Sequence, residues 1–480
     1  MKKKFITNLA LLISLNLLIK PFWFFGIEVA VQNRVGEEMY GFYFSLFNLS
    51  FILNILLDLG ITNFNNRSIS RNQSRLEPYL STIIPLKFLL SILYAVIVFL
   101  TALLIGYSSA QMKMLLVLVL NQFLASFLLY LRSNISGLQY FRTDSLLSVL
   151  DRTLMIIIIG LLLWGNIIDS AFRIEWFVYA QTASYSITLL TALGIVLYRS
   201  QRIRLSLNLS RLLRILKSSF PFALLILLMA FFNRIDSVML ERLLEDGKKQ
   251  AGIYAQSYRI LDAATQFAFL FSTLLLPMFS RMLKLNEQVN DLIRLALPVL
   301  LAVAFSLAIT GNFYRQEIIG MLYQHQEPLS YSIFGILITG FVFISMSYIY
   351  GTLLTANGNL KHLNILAFIT LILNITLNLI LIPRFKGLGA AIASLSSQAF
   401  FGIAQMVLSF KIIKIPINTD LFLRLFIFLL LNAFIGILLR NFIANWITGI
   451  IILIASCAIS AFGLRLIKIK EILEVVKKHD

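Results

Sequence analysis

The feature that most constrains this chain is the recurrence of apolar runs about 20 residues long, each sufficient to cross a hydrocarbon core roughly 30 Å thick. Spans are expected at about 6–30, 40–61, 80–106, 112–137, 146–167, 175–198, 217–242, 251–280, 292–313, 330–354, 363–383, 388–411, 421–440 and 445–467. The chain therefore reads as an all-α polytopic membrane protein with about fourteen transmembrane helices. The opening Met1-Lys2-Lys3-Lys4 resembles a secretory leader. However, the apolar stretch after it runs from Phe5 to Val31, longer than a leader core of roughly 7–15 residues, so it reads as a retained first span.

Charge gives an orientation. Of the residues, 59% are hydrophobic and 13% charged, about half the share in an ordinary soluble domain. A formal charge of +19 on a soluble chain would point to nucleic acid. Here the 41 Lys and Arg sit mostly between the apolar runs, on alternate connections that include Lys2 to Lys4, Arg67 to Arg75 and Arg199 to Lys217. That pattern points to anionic membrane lipids as partners, not nucleic acid, and both termini are expected to be cytoplasmic. No connection exceeds about 20 residues, too few for a folded extramembrane domain of about 50. The longest, 199–216, is basic with Leu205, Leu207, Leu209, Leu212 and Leu213, and reads either as a surface-lying amphipathic link or as a solvated loop. The single cysteine, Cys457, excludes an intramolecular disulfide.

An internal repeat divides the chain. Gly41 and Gly252, Tyr43 and Tyr254, and Phe47 and Tyr258 share one offset of 211 positions, at the starts of the second and eighth spans. The expected organisation is an N-lobe over 1–200 (six spans), a basic cytoplasmic linker over 201–216, and a C-lobe over 217–411 (six spans). Two further spans and a basic tail occupy 412–480.

Several local sequences carry a resemblance. They are Leu56-Leu57-Asp58-Leu59-Gly60-Ile61, Ser219-Phe220-Pro221-Phe222, Asn233-Arg234-Ile235-Asp236, Gly252-Ile253-Tyr254 and Asn357-Gly358-Asn359. With them stand Asn374 to Asn378 running into Leu381-Ile382-Pro383, and Gly387-Leu388-Gly389-Ala390-Ala391. Over most of its length the chain resembles the multidrug/oligosaccharidyl-lipid/polysaccharide (MOP) exporter superfamily, specifically its Wzx-type O-antigen, capsule and teichuronic flippases. These are packing and turn signatures, more specific for fold than for substrate. The resemblance implies two pseudo-symmetric six-helix lobes around a central cavity, two appended helices, and alternating access in the bacterial inner membrane. The implied substrate is an undecaprenyl-pyrophosphate-linked oligosaccharide (an O-antigen, capsule or exopolysaccharide repeat unit), moved from the cytoplasmic to the outer leaflet. Polymerase and glycosyltransferases of the same pathway are implied partners. No cofactor is expected, and a coupling proton or sodium ion is left open.

Charges inside spans are costly, about 2.5–3.5 kcal/mol near the bilayer centre, so those present mark wet cavities or partners. Lys20, Arg234 and Arg259 fall at similar depths when counted at 1.5 Å per residue, and read as substrate-cavity cations suited to pyrophosphate. Their competing reading is internal pairing, Arg259 with Asp262 and Arg234 near Asp236. Lys87 and Arg152, nearer the cytoplasmic end, read either as snorkelling residues or as a lower cation patch. Asp58 reads as a packing or gating residue, and Pro21 as a hinge in the first span. Asn54, Gln122 and Gln181 suit either sugar contacts or interhelical hydrogen bonds.

Three rival functions follow from the same residues. A lipid II flippase would share the cationic cavity. A cation-coupled drug exporter would want an acid deep in the first span, where Lys20 stands and Glu28 falls only at the outer edge. A membrane glycosyltransferase or polymerase would need catalytic acids or a large outer loop. The only His/acid pair on such a loop is His325 with Glu327, and the chain has neither a P-loop nor a metal-ligand cluster of sensible spacing. It therefore reads as a transporter and not an enzyme.

Overall fold

The computed structural model describes residues 14–16, 18–165, 171–200, 209–324, 327–416 and 418–467. Lys2 to Lys4, the 201–208 part of the basic link, His325 and the tail beyond 467 lie outside them, as do the side chains of Arg67, Arg71 and Arg75. Twelve described helices are long and apolar enough to cross a membrane. Two of them are double. The run Ser14–Ile52 breaks at Gly36 (φ 80°, ψ 170°), and Leu360–Ile413 breaks at Lys386 (φ 52°, ψ −131°). Counting each as two spans gives the fourteen that the hydropathy pattern requires.

In chain order the spans are α1 (18–35), α2 (37–52), then after a short helix α3 (Ile61–Arg71) come α4 (Leu76–Leu104), α5 (Ser109–Gly137), α6 (Phe141–Trp164) and α7 (Ile174–Arg199). There follow α8 (Leu209–Leu243), α9 (Gly247–Lys284), α10 (Asn290–Phe313), the short α11 (Arg315–Leu322) and α12 (Pro328–Ala356). The last are α13 (360–385), α14 (387–413), α15 (Thr419–Phe442) and α16 (Trp446–Gly463). Side-chain caps fix the turns between them: Ser108 and Gln111 form a reciprocal capping box on α5, and Asn418 and Asn445 cap α15 and α16. Large aliphatic residues such as Leu104 and Ile459 lie on the outside of the helices, as expected where the solvent is lipid.

Three expectations are corrected. The helix of the seventh span begins at Leu209, ahead of its apolar stretch Phe220–Leu243, so Pro221 lies inside α8 and not in its first turn. The cause is legible: Leu209, Leu212, Leu213 and Leu216 follow the i, i+3, i+4, i+7 stripe of a helix. The outer connection expected at 31–39 shrinks to the single break at Gly36, because a glycine at positive φ turns the chain without a loop. The second span does not run to 61. It ends at Ile52 and tightens into a 3-10 turn, Asn54–Leu57, before Leu59 (φ 46°) and Gly60 (φ 82°) reverse the chain.

The chain divides into two compact units, Met1–Gly252 and Ile253–Asp480. In the first, α2 lies among α5, α7 and α8, while α3 docks on α5. There Asn65 donates to Ser133 and Asn134 (2.8 and 3.1 Å). In the second, α12 packs on α10 and on α13–α14, and α15 and α16 pack on α10. A buried Asn432 ties α15 to α16, donating to Ser460 (2.8 Å) and accepting from Ser456 (2.9 Å).

Candidate functional site

The break after α2 explains Asp58 and Lys87 together. A helix that stops inside a bundle leaves carbonyls without partners. Lys87, on α4 and only 1% exposed, fills this gap. Its ammonium donates to the Leu57 carbonyl (2.9 Å), Asp58 Oδ1 (2.6 Å) and Ser126 Oγ (3.1 Å). The Asp58 carboxylate in turn accepts from the Thr62 amide and hydroxyl at the start of α3. Lys87 therefore neither snorkels nor stands in an open patch. It is a buried helix-end donor, and Asp58 joins two helices through it.

Lys20 and Arg152 gather in one place instead. Asn16 reaches Ser148 (3.4 Å), laying the first helix along α6. The Arg152 guanidinium sits 5.1 Å from the Trp23 ring and 5.9 Å from Tyr185, with the Asp151 carboxylate at 3.9 Å. Lys20 lies within electrostatic reach of Arg152 and Asp151. The Trp23 indole donates to Glu28 Oε1 (3.0 Å) and its ring stacks on Phe177. Glu28 is buried. Pro21 directly precedes the cause: residues Phe22–Glu28 form a π-helix, whose extra residue per turn rotates Glu28 inward. Counting depth along a straight helix put Lys20 with Arg234 and Arg259. The structure adds Arg152 and Asp151 as neighbours of Lys20.

On α8, the guanidinium of Arg234 lies 5.1 Å from the Phe51 ring, a cation–π contact. Nine residues separate it from the α8 terminus at Leu243, about 14 Å at helical rise. Asp236 is fully buried, and the adjacent Ser237 accepts from Asn48 on α2 (2.7 Å). Closer to the same terminus, Glu241 accepts from Gln111 (2.9 Å) and from Arg242 (2.8 Å), and Arg242 donates to the Ile105 and Gly106 carbonyls (3.2 Å). Tyr107, covered by Arg242, has its hydroxyl pushed above the usual phenol range by burial, with Glu241 acting in the same direction.

The repeat glycines meet here. A Cβ on Gly41 would overlap the Lys248 carbonyl, and one on Gly252 would overlap the Glu37 carbonyl. Glu37 and Lys248 are themselves 211 positions apart, so the contact is reciprocal across the repeat. Gln32 adds a hydrogen bond to the Gly252 carbonyl (2.9 Å), and Lys248 lies over the Phe42 ring. The sequence showed this pair as a repeat marker; that the two members touch came from the structure.

In the second unit Arg259, 6% exposed, pairs with Asp262 one turn on (3.6 Å). Ser257 and Gln256 anchor the same turn of α9 to Ser330 and Tyr323. Gln181 donates to Tyr43 (3.1 Å) and Asn54 to Gln122 (3.4 Å), both between different elements. Among the described residues, no group of three or more His, Cys, Asp or Glu is placed to hold a metal ion.

Twelve described helices long and apolar enough to cross a membrane, two of them broken into two spans, make this a multi-pass membrane protein, in bacteria a protein of the inner membrane. Residues 5–283 match the family described as polysaccharide biosynthesis protein, and the chain belongs to that family. No curated protein matches it in sequence. The fold is similar to that of the lipid II flippase MurJ in an inward closed conformation (TM-score 0.76, 16% identity, 95% of this chain and 99% of that one). It is shared by an inward-facing multidrug resistance MATE family transporter of the MOP superfamily (0.62, 15%, 80% and 93%). A third such fold is a MOP superfamily transporter from Pyrococcus furiosus, described as having a binding pocket of reversed polarity (0.58, 14%, 84% and 94%).

Proposed function

We propose that this chain is a flippase that carries an undecaprenyl-pyrophosphate-linked oligosaccharide from the cytoplasmic to the outer leaflet by alternating access. The observation that carries this reading is Arg234. A guanidinium about 14 Å from the end of its helix sits near the middle of a core roughly 30 Å thick. Such a residue costs about 2.5–3.5 kcal/mol to insert, and a pyrophosphate entering the bilayer needs a fork of donors of this kind. Family membership supports a polysaccharide pathway. Lys20 with Arg152, and Arg259 with Asp262, would supply further cationic stations, and the Gly41–Gly252 crossing would part to release the substrate. A coupling proton or sodium ion would drive the cycle, and the pathway's polymerase and glycosyltransferases would be its partners.

The likeness to MurJ supports a second reading, a lipid II flippase, which would present the same pyrophosphate to Arg234 but a different sugar. Membership of the polysaccharide biosynthesis family weighs against drug export, although buried Glu28 supplies the acid in the first span that a cation-coupled exporter would use. Binding distinguishes these readings. Purified protein is expected to retain an undecaprenyl-pyrophosphate oligosaccharide in native mass spectrometry, with retention falling about ten-fold in Arg234→Gln, the effect of one charge-assisted hydrogen bond worth about 1.5 kcal/mol. Retention of lipid II in preference to the oligosaccharide would favour the second reading, and retention of neither would overturn both.

A further inference from the structure

Two grooves open on the outer surfaces of the helices, and they differ in one respect. One lies along α4, lined by Ile92, Ala95, Val96, Phe99, Leu100 and Leu103, with no charged residue. The other lies between α13 and α14, offers about 430 Å³, and is lined by Leu366, Phe400, Ile403, Ala404, Val407, Leu408 and Lys411. We infer that this second groove is a binding site for an anionic glycerophospholipid, with one acyl chain along Phe400 to Leu408 and the headgroup phosphate on Lys411.

Length supports the chain. From Lys411 to Phe400 the helix rises about 16 Å, close to half the roughly 30 Å core, so the groove extends from the headgroup layer to the bilayer midplane. Residues on its floor and walls are partly to well exposed, Ile403 at 43% and Val407 at 42%, so it is open to lipid along its length. Charge supports the headgroup. Between Glu327 and Asp420 the sequence holds no Asp or Glu at all, so no carboxylate on α12, α13 or α14 can neutralise Lys411. α13 starts at the membrane face where α14 ends, and it brings exposed Lys361 and His362 to that face, while exposed Lys414 follows in a left-handed turn that ends α14. One neutralisable headgroup site thus caps one acyl-length groove. The α4 groove has the same length and no such cap. Nothing in this assignment depends on the transported substrate.

The full-length protein, purified in mild detergent, would be titrated with phosphatidylglycerol and with phosphatidylcholine and the retained lipid counted by native mass spectrometry. Wild type is expected to prefer phosphatidylglycerol about five-fold, the effect of one basic residue at the headgroup layer. Lys411→Gln is expected to abolish that preference and leave phosphatidylcholine retention as it was. Ala404→Phe, which fills the groove and keeps the charge, is expected to lower retention of both lipids. A preference for phosphatidylglycerol that persists in Lys411→Gln, or retention unchanged in Ala404→Phe, would overturn the assignment. Circular dichroism and gel filtration of each variant would confirm that both remain folded.

Discussion

Buried charge in this protein does two different jobs, and Lys87 shows the structural one. Its ammonium closes the carbonyl end of a broken helix and neutralises Asp58, so removing Asp58 strands a buried ammonium, while Asp58, 23% exposed, keeps its Thr62 partners when Lys87 is removed. Breaking a buried pair costs about 3–5 kcal/mol, while replacing both partners costs much less. Thermal unfolding in detergent should therefore show the larger loss of apparent Tm for Asp58→Asn, which leaves the buried Lys87 ammonium without its carboxylate, a smaller loss for Lys87→Met, and a double variant more stable than Asp58→Asn alone. Additive losses would mean that the two groups act separately. Lys386 is a different case, a side chain held at φ 52°, ψ −131° where only glycine is comfortable. Lys386→Gly should raise stability by about 1 kcal/mol without changing α13 or α14, and an unchanged or lowered Tm would contradict this.

Helices are held to one another here by close backbone approach and by short polar bridges, since apolar side chains gain little by leaving lipid for protein. The α2–α8–α9 crossing combines both, with Gly41 and Gly252 allowing backbone contact and Asn48–Ser237 bridging at 2.7 Å. If the crossing parts during transport, tethering it must stop the cycle. With Cys457 replaced, Asn48→Cys/Ser237→Cys is expected to cross-link under mild oxidation and lose flipping, with recovery on reduction. Full flipping by the cross-linked protein would show that the crossing stays closed throughout. Helix positions were mostly legible from hydropathy, because twenty apolar residues in a row have few other structures open to them. What could not be read was local geometry. The break at Gly36 replaced an expected loop, and the leucine stripe from Leu209 carried α8 back past Pro221.

For the whole molecule, the fold class followed from the count of spans and the family from a resemblance carried by short packing and turn signatures, all of which are properties of sequence order. The grouping of charges did not. It depends on how far each helix rotates: the π-helical turn after Pro21 swings Glu28 inward and sets Trp23 against Arg152, which no straight-helix depth count can anticipate. Nor could the sequence show that Lys87 is consumed by a helix end, since the end itself, at Leu57, was hidden inside an apolar run. What remains distinctive is Arg234, a cation far from either end of its span and resting on an aromatic ring. The most direct measurement is transport of a fluorescent undecaprenyl-pyrophosphate oligosaccharide in proteoliposomes, read as the labelled fraction reaching the opposite leaflet. Wild type should flip it, and Arg234→Ala, folded and inserted to the same extent, should lose most of the rate. Flipping that survives Arg234→Ala would reassign the arginine to helix packing, and no flipping by correctly inserted wild type would contradict the proposed function itself.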